Sequence, residues 1–362
     1  MRVLFLSLQQ HDRSPSQRYR VEAFEPAFRQ AGITVDERHV LSADDLRVFY
    51  GQSPVHAKAR VALKALARRA LSLRPHLRHR PDVIFVQREA FFLFNEWSEW
   101  LASLQAPIVY DFDDAVWLHA VSDANRRFAF LKNVQKIPRI VGLSHTVIAG
   151  NEYLASWARQ HSSNVHVVPT CVDTDVWTSA PRTADGPITI GWSGSASTLA
   201  HLKPLLPALH RVKARFGDQV RVRVMGAPDF RDERLGAQGE AWSPTAEVPF
   251  LQSMHIGLMP LPDDEWTRGK CGLKGLTSMA CGAATVMSPV GVNTTIVTHG
   301  ENGFLANSED EWVARLSELV EDHALRDRLG AAGRQTVVDR YSVARWAPTL
   351  IGLIETAARS RR

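Results

Sequence analysis

The sequence predicts an α/β protein built from two doubly wound domains, each with a parallel sheet between layers of helices. Short β-rich runs alternate along the chain with segments of helix length, which is the pattern of βαβ units. Residues 83–86 form a continuous apolar run, as expected of a parallel strand that is buried on both faces. The alternation starts again after the polar stretch 178–186, and 362 residues exceed the usual size of one core. We therefore expect a first domain in residues 1–179 and a second that begins at residue 180.

Each domain has its own ordered set of predicted strands. In the first domain they are residues 2–8, 33–40, 82–87, 107–112, 145–149 and 164–168, with helices such as 17–30, 96–105 and 152–160 between them. In the second domain they are residues 187–192, 220–225, 255–260, 284–287 and 303–305, a helical run is predicted at 199–216, and residues 309–358 are almost entirely helical. Ligands of open parallel sheets bind beyond the carboxyl ends of the strands, so the loops that follow the strands are the candidate functional loops.

Composition and charge exclude several classes of protein. With 45% hydrophobic and 22% charged residues, the chain is not collagen-like, coiled-coil or wholly disordered. The net charge is +5, but residues 46–81 hold nine basic residues and no acid, so the other residues together carry −4. This distribution argues against a uniformly basic surface that binds nucleic acid.

Cysteines and apolar runs indicate a cytoplasmic protein. The three cysteines form no CxxC motif, which excludes a zinc ribbon or a thioredoxin motif and fits a reducing compartment. The apolar start, residues 2–8, is followed at once by polar residues, so we interpret it as a strand rather than a signal peptide. No run approaches the 18 apolar residues of a membrane span.

The first domain has two candidate loops. In residues 14–20, Ser14, Gln17 and Arg18 follow the first strand, where a helix N-terminus helps to bind sugar or phosphate oxygens. The alternative is a helix cap with surface arginines. The second loop contains Asp111, Asp113 and Asp114, and three carboxylates repel each other unless cations or hydroxyl donors meet them. They can orient an acceptor hydroxyl or bind a metal, or one of them can simply cap a helix.

A small-residue loop opens the second domain. Gly191, Ser193, Gly194 and Ser195 follow a predicted strand and precede a predicted helix. Small residues let backbone N–H groups approach a phosphate, and the helix N-terminus adds partial positive charge. A tight turn with a serine cap is the alternative.

The segment 269–282 carries the sharpest chemical signal. Lys270 and Lys274 are four residues apart, so on one helix they would lie side by side at its start and oppose the helix dipole. An anion such as a diphosphate would neutralise them, whereas solvated lysines are the ordinary alternative. After the next predicted strand, residues 288–291 form a tight loop that can lie against a ligand.

Six segments in a fixed order carry a family resemblance. The longest reads KCGLKGLTSMACGAATVMSPVGVNTTIVTHGENGFLA at residues 270–306. The others read DFDDAVW at 111–117, AGNEYLA at 149–155, VPTCVDT at 168–174, IGWSGS at 190–195 and GLMPLPDDEW at 257–266. Together they resemble glycosyltransferase family 4, the retaining nucleotide-sugar-dependent enzymes with the GT-B fold.

The resemblance implies two facing Rossmann-like domains, with the donor nucleotide held mainly by the second. It also implies a C-terminal helix that crosses back, so that the first domain comprises residues 1–179 and 341–362 and the second comprises 180–340. The implied reaction is of the hexosyltransferase type: a sugar moves from a nucleotide-diphosphate-sugar to an acceptor hydroxyl with retained anomeric configuration. Polysaccharide biosynthesis, on a lipid-linked or cell-surface glycan precursor, is the implied process.

The resemblance also implies roles for individual residues. Lys270 and Lys274 would hold the phosphates and stabilise the leaving diphosphate without a metal or other cofactor, and Asp113 or Asp114 would orient the acceptor or a donor hydroxyl. Donor-binding positions are implied at Ser14, Gln17, Arg18, Gly191, Ser193, Gly194, Ser195, Thr277, Pro289, Val290 and Gly291.

One departure from the family pattern concerns the ribose. The family commonly has two glutamates eight residues apart, of which the later binds the ribose hydroxyls, and the corresponding residues here are Gly269 and Thr277. A threonine offers one hydroxyl in place of a carboxylate. The donor therefore stays open, and two alternatives remain: a nucleotide-sugar epimerase, or a catalytically silent nucleotide-sugar-binding subunit.

The basic segment 55–80 suggests a further partner. On a helical wheel its apolar residues Leu63, Leu66, Ala70 and Leu73 share one face, and Arg60, Lys64 and Arg68 lie largely opposite. Such a helix can lie on an anionic membrane, where each basic residue contributes about 1 kcal/mol, and the protein would then be peripheral at the inner face. Alternatively, the leucines pack on the core and the basic face is in water.

Overall fold

The fold is that of a computed structural model, which describes residues 1–51, 53–74, 80–93, 95–118, 133–182 and 186–360. The chain divides into two compact units. Unit 1 comprises Met1–Thr170 and the C-terminal segment from Trp346 onward, and unit 2 comprises Cys171–Arg345. The division falls nine residues before the predicted boundary, and Val172 already pairs with Ser342 inside unit 2.

Unit 1 contains a six-stranded parallel sheet. Its strands are β1 (Arg2–Leu6), β2 (Thr34–Arg38), β3 (Val83–Gln87), β4 (Ile108–Phe112), β5 (Thr146–Ala149) and β6 (Val165–Val167). Their order in the sheet is β2-β1-β3-β4-β5-β6, and every neighbouring pair is parallel. Strands β3, β4 and β5 are buried at every residue, as a sheet covered on both faces requires.

The helices of unit 1 surround this sheet. They are α1 (Pro15–Arg20), α2 (Glu25–Gln30), α3 (Ala43–Tyr50), α4 (Val55–Ser72), α5 (Trp97–Ser103), α6 (Lys136–Leu143) and α7 (Glu152–Ala158). The predicted single helix 17–30 is wrong, because α1 and α2 are separated by a 3₁₀ turn at Glu22–Phe24. Pro26 lies in the first turn of α2, and it has no N–H to continue the preceding helix.

Helix α4 packs on the core with a face that includes only part of its predicted apolar stripe. Its buried residues are Lys58, Val61, Ala65 and Arg69. Leu63 and Ala70 are exposed, whereas Leu66 packs against the core cluster that contains Val61 and Ala65, and Leu73, just after the helix, is buried. The alternative in which the leucines pack on the core therefore holds for two of the four predicted apolar residues. Of the predicted basic face, Arg60 and Lys64 are exposed, and Arg68 is half-buried and donates hydrogen bonds to Asp45 and to the Val40 carbonyl. Residues 75–79 of the basic segment lie outside the described residues.

A buried arginine fixes α4 in this orientation. The Arg69 guanidinium donates hydrogen bonds to the backbone oxygens of Ser7 at 2.7 Å, Ala90 at 2.7 Å and Arg38 at 3.0 Å. Burial lowers its pKa to about 10, which still leaves it charged at neutral pH. The basic residue therefore takes a core position because three carbonyl groups satisfy it.

Unit 2 contains a seven-stranded sheet of order β13-β12-β11-β7-β8-β10-β9. Its strands are β7 (Ile188–Ser193), β8 (Val220–Met225), β9 (Arg231–Asp232), β10 (Ala237–Glu240), β11 (Ile256–Met259), β12 (Ala284–Met287) and β13 (Phe304–Leu305). All pairs are parallel except β9 with β10. Sequence analysis missed β9 and β10, which are short and rich in polar residues; β9 is the edge strand and β10 is its neighbour.

The helices of unit 2 are α8 (Leu199–Leu202), α9 (Leu206–Phe216), α10 (Pro244–Gln252), α11 (Glu265–Arg268), α12 (Leu273–Ala280), α13 (Asn293–Ile296), α14 (Glu309–Glu321) and α15 (His323–Tyr341). The predicted helix 199–216 is interrupted by a 3₁₀ turn at Lys203–Leu205, where Pro204 and Pro207 follow each other closely. The last helix, α16 (Val343–Arg359), contributes its residues from Trp346 onward to unit 1. No helix among the described residues is long and apolar enough to cross a membrane.

Candidate functional site

The acidic loop of unit 1 is met by arginines of the protein itself. Asp111, at the end of β4, is buried and accepts hydrogen bonds from Arg20 Nε at 3.1 and 3.2 Å. Arg20 is also buried and donates to the backbone oxygen of Val168 at 2.6 Å. Burial raises the pKa of Asp111 although the Arg20 charge opposes this shift. Asp111 therefore has a structural partner, while its two neighbours are held differently.

Arg88 binds both Asp113 and Asp114. Its Nε lies 2.7 Å from Asp113 Oδ1 and its Nη2 lies 2.8 Å from Asp114 Oδ2. Burial opposes ionisation of Asp113. The charge and hydrogen bond of Arg88, together with a hydrogen bond from Ser16 to Asp113, nevertheless hold the pKa of this carboxyl below its ordinary value. The two carboxylates are 12% and 10% exposed, so they stay in reach of solvent while the Arg88 charge offsets part of theirs.

The backbone of Arg88 is held in an uncommon conformation. Its φ of 62° lies in the left-handed region, which is rare for a residue other than glycine. Its N–H donates to the backbone oxygen of Asp111 at 2.7 Å, and the Tyr110 hydroxyl donates to its carbonyl at 2.6 Å. The ends of β3 and β4 thus fix both ends of the residue that positions the carboxylates.

The loop after β1 places its predicted residues in three environments. Ser14 is the N-cap residue of α1 and makes no side-chain cap bond. Gln17 is buried, and its amide donates to Glu22 at 2.8 Å and to Glu37 at 2.9 Å. Arg18 pairs with an aspartate of the same loop and lies over the neighbouring tyrosine ring. Burial raises the pKa of Glu22 to about 7, although nearby groups partly oppose the shift.

The small-residue loop of unit 2 follows β7. Gly191 is buried within the strand, where a side chain would overlap Met254, and Gly194 lies against the ring of Trp192. Ser193 is half-buried, and the exposed Ser195 caps a 3₁₀ turn. The predicted helix behind the loop is present in consecutive pieces, α8, the 3₁₀ turn Lys203–Leu205 and α9.

The two lysines do not share a helix face, contrary to expectation. Gly272 is the N-cap of α12 with a φ of 75°, so Lys270 lies in the preceding turn and only Lys274 belongs to the helix. Lys270 Nζ lies 4.9 Å from the centre of the Trp266 ring, and Lys274 Nζ lies 5.8 Å from that of Trp192. A ring face attracts a cation, so each ammonium group is held by a different tryptophan.

Thr277 and Gly269 lie inside this segment. Thr277 is buried, and its hydroxyl donates to the Lys274 carbonyl at 3.2 Å. Gly269 is buried at the end of α11, and its N–H donates to the Trp266 carbonyl at 3.1 Å.

The loop after β12 lies against the loop after β11. The Leu261 N–H donates to Ser288 Oγ at 2.9 Å, and a side chain on Gly291 would come within 2.7 Å of the Arg268 carbonyl. Pro289 is exposed at the loop tip and Val290 is buried beneath it. Since β12, β11 and β7 are neighbours in the sheet, the structure brings their three loops together at one carboxyl edge.

Sequence reasoning missed four residues that hold these groups. They are Arg20, Arg88, Trp192 and Trp266. Arg88 directly follows a predicted strand and both tryptophans lie inside quoted motifs, so position could have identified these three. Among the described residues, no cluster of three or more His, Cys, Asp or Glu side chains is arranged to hold a metal ion.

Comparison with known proteins places a family domain in unit 2. Residues 187–322 match the family described as glycosyl transferases group 1. The chain is 26% identical over 225 residues to alpha-maltose-1-phosphate synthase of Mycobacterium tuberculosis, which covers 54% of this chain and 57% of that protein. It is 31% identical over 159 residues to the O-antigen biosynthesis protein RfbC of Myxococcus xanthus, covering 42% of this chain and 12% of that protein. The chain thus spans little more than half of the former relative and a small part of the latter.

Solved structures share the fold over nearly the whole chain. Sucrose-phosphate synthase from Thermosynechococcus elongatus has a TM-score of 0.71 at 14% identity, covering 99% of this chain and 100% of that one. Anabaena HepE in complex with UDP has a TM-score of 0.61 at 14% identity, covering 98% and 100%. The chain therefore has the GT-B fold with two Rossmann-like units, and the match to group 1 glycosyl transferases lies within unit 2.

Proposed function

We propose that the chain is a retaining glycosyltransferase, of the hexosyltransferase type, that uses a nucleoside diphosphate sugar. The observation that carries the proposal is the pair of half-buried lysines, Lys270 and Lys274, inside the matched segment. They lie at the carboxyl edge of a parallel sheet, where such sheets bind ligands. The shared fold of HepE, which was solved with UDP and with UDP-glucose, supports a nucleoside diphosphate as the ligand.

The two lysines would stabilise the leaving group. When the bond between the sugar C1 and the diphosphate oxygen breaks, negative charge grows on the diphosphate, and positioned cations lower the energy of that state. Because Trp266 and Trp192 already hold the ammonium groups, little side-chain freedom is lost when the diphosphate binds. The acceptor oxygen bonds to C1 on the same face, and the departing phosphate oxygen takes its proton. This route uses no metal or other cofactor.

Asp113 and Asp114 would orient the acceptor hydroxyl or a hydroxyl of the donor sugar. A carboxylate whose pKa is lowered is a weak base, so Asp113 suits hydrogen bonding to a hydroxyl rather than removal of its proton. Arg88 fixes both carboxylates, so the hydroxyl meets a rigid pair of oxygens.

The acceptor would be a growing glycan or a lipid-linked precursor in the cytoplasm. The similarity to RfbC, whose name assigns it to O-antigen biosynthesis, supports a role in cell-surface polysaccharide formation. The donor would also contact Ser14, Gln17, Arg18, the loop 191–195, Thr277 and the backbone of 289–291.

Turnover of a panel of nucleoside diphosphate hexoses with glycan acceptors tests the proposal. We expect release of the nucleoside diphosphate and, by NMR, a product with the anomeric configuration of the donor. Lys270→Ala and Lys274→Ala should each lower turnover at subsaturating donor by about tenfold or more, whereas Lys203→Ala, an exposed lysine of the same unit, should leave it unchanged. Epimerised donor without release would indicate an epimerase, binding without turnover would indicate a silent subunit, and either result would refute the transferase.

A further inference from the structure

Exposed apolar side chains of the described residues are concentrated on two helices of unit 1. Of eight large ones, six lie on α4, on α5 or directly after α5. They are Val55 (57% exposed), Leu63 (68%), Leu71 (54%), Trp100 (51%), Leu101 (36%) and Leu104 (66%). Single exposed apolar residues are ordinary, but a contiguous group marks an interaction surface.

Helices α4 and α5 are held beside each other. Arg69 of α4 donates to the Ala90 carbonyl at 2.7 Å, and Glu99 of α5 accepts from the Ala90 N–H at 2.7 Å. The Gln105 side chain, just after α5, donates to the Leu73 carbonyl at 2.7 Å. The Gln105 side chain therefore joins the C-terminal ends of the two helices, where Leu71 and Leu104 are exposed.

Basic residues border the apolar stripe of α4. Leu63 and Leu71 are eight residues apart, and Arg60, Lys64 and Arg74 lie beside them on the outward side of the helix. Arg60 and Arg74 are exposed, and Lys64 remains 52% exposed although it pairs with Asp45. Residues 46–81 contain no acid, so this segment places basic side chains beside Leu63 and Leu71 and supplies no carboxylate to neutralise them.

We propose that this surface, called here the α4–α5 surface, docks on an anionic lipid bilayer. It consists of Leu63, Leu71, Trp100, Leu101 and Leu104 with Arg60, Lys64 and Arg74. Leucine and tryptophan side chains enter the boundary between headgroups and acyl chains, and the basic side chains reach the lipid phosphates. A second copy of the chain is a poorer occupant, because a symmetric contact would bring two basic segments together. The proposal goes beyond the proposed function and does not depend on it.

Vesicle flotation tests the docking surface. We expect the whole protein to float with vesicles of phosphatidylcholine and phosphatidylglycerol, but not with phosphatidylcholine alone, and to detach as salt rises. Arg60→Gln with Arg74→Gln should weaken binding by about fivefold per charge, the equivalent of about 1 kcal/mol each. Arg221→Gln, an exposed arginine of unit 2, is the matched control.

A second variant tests the apolar part. Leu63→Gln, Leu71→Gln and Trp100→Gln together should abolish flotation, whereas Val176→Gln, which is 56% exposed in unit 2, should float like the wild type. All these positions are exposed, so thermal unfolding should be unchanged, and donor binding in solution, measured in parallel, should stay intact. Absence of binding to anionic vesicles at low salt would overturn the proposal. Vesicle binding of the triple variant equal to that of the wild type would also overturn it. So would a wild-type protein that binds no vesicles but forms a dimer, if the triple variant is a monomer.

Discussion

Arg88→Met removes the cation that Asp113 and Asp114 share. The variant loses hydrogen bonds of 2.7 and 2.8 Å, and a hydrogen bond to a charged group contributes about 1.5–3 kcal/mol. Arg88 is 31% exposed, so water screens part of this interaction. We expect the free energy of unfolding to fall by about 3 kcal/mol at pH 7, with a Tm lower by about 6–12 °C.

The pH dependence of this loss follows from the pKa of Asp113. In the folded wild type this pKa lies below the ordinary value of about 3.9 that Asp113 has in the unfolded chain. The stabilisation by the ionised Asp113 is therefore complete above about pH 3.9, and it is lost only as the pH falls through the pKa of the folded state. Without Arg88, burial raises the pKa of Asp113 above its unfolded value. The variant then takes up protons as the pH falls from 7 toward 4, so its deficit is largest at pH 7 and shrinks at lower pH.

A glycine variant separates charge from backbone strain. Arg88→Gly loses the same guanidinium but accepts the φ of 62° freely, so it should be more stable than Arg88→Met by about 1 kcal/mol. Urea unfolding of both variants at pH 7 and near pH 4.5 measures these differences, with the exposed Arg13→Met as the control. A deficit of Arg88→Met below about 1 kcal/mol, or an equal deficit at both pH values, would refute the reasoning.

Four more substitutions test packing, a buried hydrogen-bond donor and a shifted pKa. Gly194→Ala should cost about 1–3 kcal/mol by urea unfolding because its methyl group would overlap the Trp192 ring, whereas Gly352→Ala, in open space on α16, should gain up to about 1 kcal/mol. Arg69→Met should cost at least about 3 kcal/mol in thermal unfolding, since three carbonyl groups lose their donor, and a loss under about 1 kcal/mol would contradict this. The Tm of the wild type should fall as the pH rises from about 4.5 to 7, because over this range the unfolded chain has released the Glu22 proton while the folded chain retains it. Glu22→Gln should remove this contribution to the slope. A Tm profile of Glu22→Gln that equals that of the wild type would count against this explanation.

Local patterns predicted the sheets and missed what interrupts the helices. Continuous apolar runs identified the buried strands because burial on both faces leaves that trace in the sequence. The edge strand β9 and its neighbour β10 have no such run. Two predicted helices are broken near prolines, and Gly272, with its φ of 75°, removes Lys270 from the helix of Lys274. Helical spacing alone could not show that break.

The partners of the site could not be read from local spacing. Asp111 is paired with a residue 91 positions away, and Asp113 with one 25 positions away, so the neutralising arginines become visible only when the strands are assembled. The three acids were recognised as an unstable group that needs cations, but the sequence left open whether a ligand or the protein supplies them. The face of α4 was ambiguous for a related reason, since a basic residue, Arg69, takes a core position.

The most direct test of the central claim is calorimetric titration of UDP, GDP and ADP into the wild type, Lys270→Ala with Lys274→Ala, and Lys203→Ala. The account predicts that at least one nucleoside diphosphate binds the wild type and Lys203→Ala equally. It also predicts that the double substitution weakens this binding by about tenfold or more, because two ammonium groups leave the diphosphate. Absence of nucleoside diphosphate binding to the wild type, or equal affinity of the double variant, would contradict the assignment of the two lysines to the donor.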